Sequence, residues 1–168
     1  KMKIQFSPLT KECIKELIPS MTKAFDNDAR EFRGLDKGGP PGYDDGSFLN
    51  RWGIEDNDSI AYKICIESES IGAFVIWWNE HGESVLGNIF ITPEFQNKGV
   101  GKETWKYIEK SFPTNSWKLE TPTWATRNHY FYENICGFTK SDVKNDQTIP
   151  AARLGITRSL ENRSLATP

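Results

Sequence analysis

The segment from residue 85 to residue 112 constrains the fold more than any other part of the chain. Residues 85–92 carry apolar side chains on both faces, which is typical of a strand at the centre of a sheet. Pro93 ends this strand, because proline cannot donate a ladder hydrogen bond. The apolar residues that follow recur at helical spacing, at Val100, Trp105, Ile108 and Phe112. A buried strand followed by an amphipathic helix predicts a mixed α/β sheet with helices on both faces.

Apolar periodicity in the remaining sequence predicts the other elements. Predicted strands cover residues 3–6, 60–66, 71–77, 117–121, 138–143 and 151–159. Predicted helices cover residues 11–25, 47–52 and 128–136. Gly137 ends the last of these helices as a C-terminal cap. The chain length fits one domain, residues 2–160, followed by a polar tail at residues 161–168.

Charge and cysteine content argue against several classes of protein. The 21 basic and 23 acidic residues give a net charge of −2, so no global positive field attracts nucleic acid or an anionic membrane surface. The longest apolar run, residues 71–78, is far shorter than the ~20 residues of a membrane span. Cys13, Cys65 and Cys136 show no CxxC spacing, which predicts neither disulfides nor a metal site. We therefore expect a cytoplasmic protein without nucleic-acid, membrane or metal partners.

The turn between strand and helix, residues 96–102, has the composition of an anion site. Backbone N–H groups at a helix N-terminus, together with the positive end of the helix dipole, suit a pyrophosphate. Gly99 and Gly101 let a ligand approach the backbone closely. The phosphate-loop motif GxxxxGK(S/T) is excluded, because Gln96 and Glu103 occupy its first glycine and its hydroxyl position. A dinucleotide-binding GxGxxG motif is excluded as well, because its third glycine is absent.

With this turn and a second motif, the sequence resembles the GNAT acetyltransferases. The family signature Q/R-x-x-G-x-G/A matches QNKGVG at residues 96–101. Residues 128–138, NHYFYENICGF, resemble the family's N…FYE…GF helix. Two motifs in this order, about 30 residues apart with a strand between them, are more specific than either alone. The resemblance covers residues 58–140 well and residues 1–57 only in outline.

The resemblance implies a GNAT-like acyl-CoA N-acyltransferase fold. Acetyl-CoA, as co-substrate, would lie in a cleft between the strands at residues 85–92 and 117–121. Its phosphates would lie on the N–H groups of residues 96–102. Its pantetheine arm would pair with the main chain of the first of these strands, with Asn128 on the other side. The implied acetyl-CoA contacts are Phe90, Ile91, Thr92, Gln96, Asn97, Lys98, Gly99, Val100, Gly101, Lys102 and Asn128.

The implied reaction moves an acetyl group from acetyl-CoA to a primary amine by direct attack in a ternary complex. A general acid must protonate the departing thiolate, and the resemblance places Tyr132 near the sulfur for this role. Glu83, just before the central strand, is the first choice for the general base, with a solvated hairpin turn as the alternative. Cys136 could accept the acetyl group, but no histidine activates it in the sequence, so we expect a buried structural cysteine.

Residues 26–45 show no periodicity and are predicted to form a long loop that is rich in glycine and proline at its end. A loop of this length in a compact domain is more often functional than idle. Within it, Tyr43, Asp44 and Asp45 combine carboxylates with an aromatic ring, which could hold a cationic acceptor amine together with Trp124. The alternative is that the two aspartates form only a turn.

Two other functions stay open at this point. Residues 85–91 contain no carboxylate, whereas members of the family frequently carry an acidic residue on this strand. A catalytically inactive acetyl-CoA-binding sensor or assembly module is therefore the alternative to an enzyme. A general nucleotide-binding domain is disfavoured by the two failed phosphate motifs. The identity of the amine acceptor and the oligomeric state, a homodimer included, are left open.

Overall fold

The structure is a computed structural model that describes residues 2–122, 124–145 and 156–163. Its strands are β1 (Ile4–Pro8), β2 (Ser59–Ile66), β3 (Glu69–Trp77), β4 (Glu83–Ile91), β5 (Ser116–Pro122), β6 (Thr139–Asn145) and β7 (Ile156–Arg163). They form one seven-stranded sheet in the order β1-β2-β3-β4-β5-β7-β6. All neighbours are antiparallel except β4 and β5, which are parallel. The apolar strand β4 is therefore central, as its sequence predicts.

The described helices are α1 (Ile14–Arg33), α2 (Ser47–Leu49), α3 (Val100–Ser111) and α4 (Thr126–Tyr130). Short 3-10 turns precede α1 and α3, at Lys11–Cys13 and Pro93–Phe95. α2 and α4 continue as π-helical segments over Asn50–Glu55 and Phe131–Ile135. The structure thereby confirms the predicted mixed α/β sheet, the hairpin of β2 and β3, and the helix that follows β4. No helix among the described residues is long and apolar enough to cross a membrane.

Two hydrophobic clusters show that helices cover both faces of the sheet. On one face, α1 and α2 pack on β3 and β4, with Leu17, Leu49 and Val75 almost inaccessible to solvent. On the other face, α3 and the helix after β5 pack on the sheet around Ile108 and Trp117. β4 lies between the two clusters, so its position is fixed from both sides.

α1 is longer than the sequence predicts, because it continues to Arg33 through a segment without apolar periodicity. Asp26 interrupts the apolar pattern, yet its side chain is buried and paired. Its Oδ1 accepts hydrogen bonds from the Tyr43 hydroxyl at 2.5 Å and from the Gly38 N–H at 3.1 Å. The loop predicted at residues 26–45 therefore begins too early, since tertiary hydrogen bonds replace the missing apolar contacts.

The last strand differs in extent from the prediction. β7 runs to Arg163, whereas the sequence predicts a strand that ends at residue 159. Residues 161–163 therefore belong to β7 and not to the predicted polar tail. The rest of that tail and the predicted start of the strand lie outside the described residues.

Candidate functional site

A cleft opens where β4 and β5 separate. The two strands pair only between residues 83–85 and 116–118. β4 then runs on to Ile91 and β5 to Pro122 without pairing to each other. A cavity of about 340 Å³ lies beside this part of β4 and is lined there by residues 89–91. The N–H and C=O groups on this edge of β4 can pair with an extended ligand in the manner of an added strand.

The turn after β4 forms one end of the cavity. Asn97 and Gly99 adopt left-handed backbone conformations, with φ of +60° and +84°, before α3 begins at Val100. The first helical hydrogen bond runs from the Glu103 N–H to the Gly99 carbonyl, at 3.0 Å. The N–H groups of residues 100–102 precede this bond and have no helical acceptor. Together with the helix dipole they form an anion site.

Two side-chain features hold this turn in place. Gln96 Nε2 donates to the Ile91 carbonyl at 2.9 Å, which ties the turn to the end of β4. A Cβ atom placed on Gly101 would lie 2.9 Å from Phe131 Cε1. Phe131 lines the same cavity, so a side chain at Gly101 would change the cavity's shape.

Arg127 joins three elements at the wall of the cavity. Its Nη1 donates to Asp28 Oδ1 of α1 at 2.8 Å and to Gln96 Oε1 at 3.3 Å, and its Nη2 donates to Glu31. The guanidinium also lies 5.2 Å from the centroid of the Phe32 ring. Burial raises the pKa of the Asp28 carboxyl, and the positive charge of Arg127 opposes that rise. Asp28 and Arg127 both line the cavity, so a ligand there lies beside one negative and one positive charge that balance each other.

Tyr132 lies in the π-helical segment after α4 and lines the cavity. Its ring packs edge-on against Phe131 and Phe138, with centroids 5.3 and 5.9 Å away. Burial is the main cause that raises the pKa of the phenol, and Cys136 and Asp28 add to the rise. The hydroxyl therefore keeps its proton near neutral pH and can donate a hydrogen bond to a ligand atom.

The structure brings together most of the residues predicted to contact acetyl-CoA. The cavity is lined by Phe90, Ile91, Gln96, Asn97, Gly99, Gly101, Lys102, Asn128 and Tyr132. The side chains of Thr92 and Val100 are buried away from it, and Lys98 lies over the Phe95 ring. Lining residues that sequence reasoning missed are Ala24, Phe25, Asp28, Ile89, Arg127, Phe131 and Ile135. Arg127 adjoins the second motif and could have been found there, whereas the α1 residues come from a distant segment.

Glu83 lies far from this cavity. It is the first residue of β4, while the last three residues of β4 line the cavity. With a rise of about 3.3 Å per residue, roughly 20 Å of strand separates Glu83 from Ile89, the first β4 residue that lines the cavity. Glu83 Oε1 instead lies 3.2 Å from Lys118 Nζ, in an exposed ion pair. This position does not support the predicted role of Glu83 as general base.

Tyr43 and Trp124, predicted to bind the acceptor, do not line the cavity. Tyr43 is buried in the core under α1, where it donates its hydroxyl proton to a hydrogen bond with Asp26. Burial raises the pKa of Tyr43 to about 12, and Asp26 adds to the rise. The Trp124 ring lies 5.0 Å below the Arg33 guanidinium. Both aromatic rings therefore have packing partners within the fold.

Asp44 and Asp45 do not line the cavity either. Asp45 Oδ1 accepts hydrogen bonds from the Ser47 N–H at 2.9 Å and from the Ser47 hydroxyl at 2.6 Å. These bonds lower the pKa of the Asp45 carboxyl. Asp45 thus orders the turn before α2, with Asp44 exposed beside it, as in the simple-turn alternative.

Comparisons with known proteins agree with the two motifs. The sequence profile of the acetyltransferase (GNAT) family matches residues 22–138. The uncharacterized protein YrkN of Bacillus subtilis (strain 168) is 33% identical over 90 residues, which are 52% of this chain and 49% of YrkN. The chain thus matches about half the length of this curated relative.

Solved structures with this fold include several acetyltransferases. One from Thermus thermophilus has a TM-score of 0.71 at 13% identity, covering 96% of this chain and 97% of that chain. The ribosomal-protein-S18-alanine N-acetyltransferase of Escherichia coli has a TM-score of 0.68 at 12% identity, covering 99% and 97%. The spermidine N-acetyltransferase of Vibrio cholerae, in complex with CoA and spermine, has a TM-score of 0.67 at 15% identity, covering 96% and 95%. These likenesses establish the fold, and the profile match over most of the sequence shows that the chain belongs to the acetyltransferase (GNAT) family.

Proposed function

We propose that this protein is an N-acetyltransferase that moves the acetyl group of acetyl-CoA to a primary amine. One observation carries the proposal: a single cavity contains the unpaired edge of β4, the N-terminus of α3 and the side chain of Tyr132. Acetyl-CoA has three matching parts, an amide-containing arm, a pyrophosphate and a thioester.

We assign the pyrophosphate to the N–H groups of residues 100–102, where Lys102 adds a positive charge. A Cβ atom at Gly99 would meet no atom within 4 Å, so there is open space beside the turn. The pantetheine arm would extend along β4 at residues 89–91, with its amides bonded to the main chain as an added strand would be. Asn128 would contact the arm from the opposite wall.

The proposed reaction is a direct attack of the amine on the thioester carbonyl carbon. The amine is protonated at neutral pH, since its pKa is ~10, so it loses one proton before attack and a second after the C–N bond forms. The C–S bond breaks and Tyr132 supplies a proton to the sulfur. The proton that the amine loses after attack returns to Tyr132, and the proton lost before attack enters solvent. Among the described lining residues Asp28 carries the only carboxylate, and Arg127 binds it, so we assign the first deprotonation to water.

A covalent acetyl-cysteine has no part in this proposal. Cys136 is buried, does not line the cavity, and burial raises the pKa of its thiol. A thiol that stays protonated is a poor nucleophile. Direct attack therefore fits the site better than a two-step transfer through the enzyme.

The second candidate is an acetyl-CoA-binding module without chemistry. It is favoured by one observation, the lack of a carboxylate on β4 beside the cavity. Two measurements distinguish the enzyme from the binding module. One is thiol release from acetyl-CoA with a panel of primary amines, and the other is acetyl-CoA affinity by calorimetry. We expect both binding and amine-dependent release. Binding without release for any amine would identify the module, and a lack of binding would contradict the assignment of the cavity.

A further inference from the structure

A second cavity lies on the α1 face of the sheet, at an irregularity in β4. Val75 pairs with Asn88 and Ile76 with Leu86, so the register shifts and Gly87 has no partner in β3. The cavity measures about 220 Å³ and is lined by Phe48, Trp52, Val75, Trp77, Gly87 and Asn88. Since a cavity of roughly 150 Å³ already holds benzene, this one has space for an aromatic ring with a short chain.

Aromatic side chains from separate elements form the walls of this second cavity. The rings of Trp52, after α2, and Trp77, at the end of β3, meet edge-to-face with centroids 6.2 Å apart and planes at 73°. Gly87 makes room for this arrangement, because a Cβ atom there would overlap Trp77 Cζ3. Ring edges and faces presented in this way favour an aromatic ligand, since edge-to-face and offset contacts add to simple burial.

One polar atom of the second cavity has no partner. Asn88 Oδ1 is fully buried and makes no hydrogen bond to any described residue. Asn88 is directly opposite Val75 in the ladder and therefore shares the sheet face of Val75, on which the cavity lies. A buried carbonyl oxygen without a donor is unfavourable, so a small turn of the Asn88 side chain into the cavity would let this atom accept a bond from a ligand N–H group.

The two cavities adjoin each other along β4. Gly87 and Asn88 line the second cavity, and the next residues, 89–91, line the first. Consecutive Cα atoms are about 3.8 Å apart. Asn88 and Phe90, two residues apart on the same face of β4, are roughly 7 Å from each other, so groups bound beside them are close enough to meet.

The second cavity offers nothing to attract several positive charges. Its described lining residues include no Asp or Glu. The Arg51 guanidinium lies 4.6 Å from the centroid of the Trp52 ring and adds a positive charge beside one wall. A ligand with several ammonium groups would meet this charge without a compensating carboxylate.

We propose, on the basis of the N-acetyltransferase function above, that the second cavity binds the acceptor and that the acceptor is a small primary monoamine with one aromatic ring. The ring packs against Trp52 and Trp77, and the amine donates to Asn88 Oδ1. From there the nitrogen attacks the thioester carbon beside Phe90, a C–N bond replaces the C–S bond, and the products are the amide, the CoA thiol and one proton in solvent. Polyamines such as spermine, which the Vibrio cholerae structure contains, do not match these walls.

Thiol release with 2-phenylethylamine and with spermidine tests the proposal. We expect kcat/KM for 2-phenylethylamine to exceed that for spermidine on the order of 10²-fold, the discrimination that a well-fitted apolar group supplies. n-Butylamine keeps the amine and lacks the ring, so its kcat/KM should fall about tenfold below that of 2-phenylethylamine. Equal or greater activity with spermidine would overturn the assignment.

Two variants test the walls directly. Gly87→Ala displaces the Trp77 ring, which is one wall of the second cavity, and Asn88→Leu removes the unpartnered oxygen. Each should raise KM for 2-phenylethylamine about tenfold while acetyl-CoA affinity stays within about twofold, which also shows that the variant is folded. Gly38→Ala is the matched control, because its Cβ atom would make only an ordinary contact of 3.4 Å with Ala29. An unchanged KM in both wall variants would contradict the proposal.

Calorimetry of 2-phenylethylamine with CoA-saturated protein keeps this proposal separate from the enzymatic one. If acetyl-CoA binds but no amine releases thiol, the enzymatic function fails. Binding of 2-phenylethylamine that is lost in Gly87→Ala would still support the assignment of the second cavity. No binding of 2-phenylethylamine to the CoA-saturated protein overturns that assignment, whatever the outcome for the enzyme.

Discussion

The two cavities along β4 are built in different ways. The first offers mainly backbone groups, from the strand edge at residues 89–91 and the helix start at residues 100–102. The second offers side chains from separate elements, among them Trp52 and Trp77. Backbone recognition depends on local conformation, which glycine spacing encodes within a few residues. Side-chain recognition depends on which elements the fold brings together, so it becomes visible only in the assembled sheet.

Gly101→Val should break the backbone-built cavity most strongly. The new side chain would collide with Phe131, which lies 2.9 Å from the Cβ position, and its methyl groups would occupy space beside the α3 N–H groups. We expect acetyl-CoA affinity to fall at least about 100-fold, or about 2.7 kcal/mol, without loss of the fold. Gly101 is a better test than Gly99, whose φ of +84° would strain any side chain.

Calorimetry together with a thermal melt measures this effect. Lys98→Ala is the control, because Lys98 points to the Phe95 ring and does not line the cavity. Unchanged affinity in folded Gly101→Val protein would remove the pyrophosphate from this turn.

Tyr132→Phe should lower turnover while acetyl-CoA affinity hardly changes. The substitution keeps the packing against Phe131 and Phe138 and removes only the phenolic proton. General acid catalysis is worth ~10²- to 10⁴-fold, and a thiol of pKa ~8.5 leaves tolerably as thiolate, so we expect a loss of about 10²-fold in kcat. The measurement is kcat on any active amine with a melt of each variant. An altered melt with the same kcat would mean that Tyr132 serves only the core.

Sequence reasoning was most successful where one short segment contains all the information. The turn at residues 96–102 and the helix with Tyr132 are contiguous motifs, and the structure brings both to the first cavity. Glu83 shows the limit of such reasoning, because its distance from the cavity depends on where β4 and β5 separate, and no local pattern states that.

Most other differences from the prediction come from long-range contacts, and Asp45 is the exception. Asp26 interrupts the apolar pattern of α1, and only its hydrogen bond to Tyr43 explains why the helix continues. Asp45 looks like a ligand for a cation in the sequence but is bonded to Ser47 two residues away. Arg127 reaches α1 residues about 100 positions earlier in the chain, a pairing that periodicity does not contain.

Arg127→Gln should weaken the wall that joins α1 to the turn. Removal of the guanidinium leaves Asp28 partly buried without its counter-charge, with side-chain exposures of 30% for Arg127 and 17% for Asp28 in the intact pair. Because the pair is not fully buried, we expect the free energy of unfolding to fall by roughly 1–3 kcal/mol, less than for a fully buried pair. In the double variant Asp28→Asn/Arg127→Gln, part of this loss in the free energy of unfolding should be recovered, because no carboxylate at position 28 is left without its counter-charge.

The pH dependence of this loss has a definite sign. Burial raises the pKa of Asp28 above its ordinary value of 3.8, so folding takes up a proton in the window just above that value. A carboxyl group whose pKa is higher in the folded state stabilises the fold less as the pH rises through this window. Loss of Arg127 raises the pKa of Asp28 further, so the destabilisation should be smaller near pH 4 than at pH 7. Urea denaturation at both pH values measures the loss in the free energy of unfolding. Equal losses would show that the pKa of Asp28 does not depend on the charge of Arg127.

Cys136→Ala should have the smallest effect, because Cys136 belongs to neither cavity. The thiol is buried among Trp105, Tyr132 and other residues of one core, so its removal costs packing, roughly 1 kcal/mol in the free energy of unfolding. Turnover per folded molecule should stay within about twofold, since burial raises the pKa of the thiol and keeps it protonated. Mass spectrometry of the protein with acetyl-CoA alone provides the opposing test. Stoichiometric acetylation at Cys136 would replace direct attack with transfer through an acetyl-enzyme, and would require Cys136 to reach the first cavity by a movement of the helix after α4.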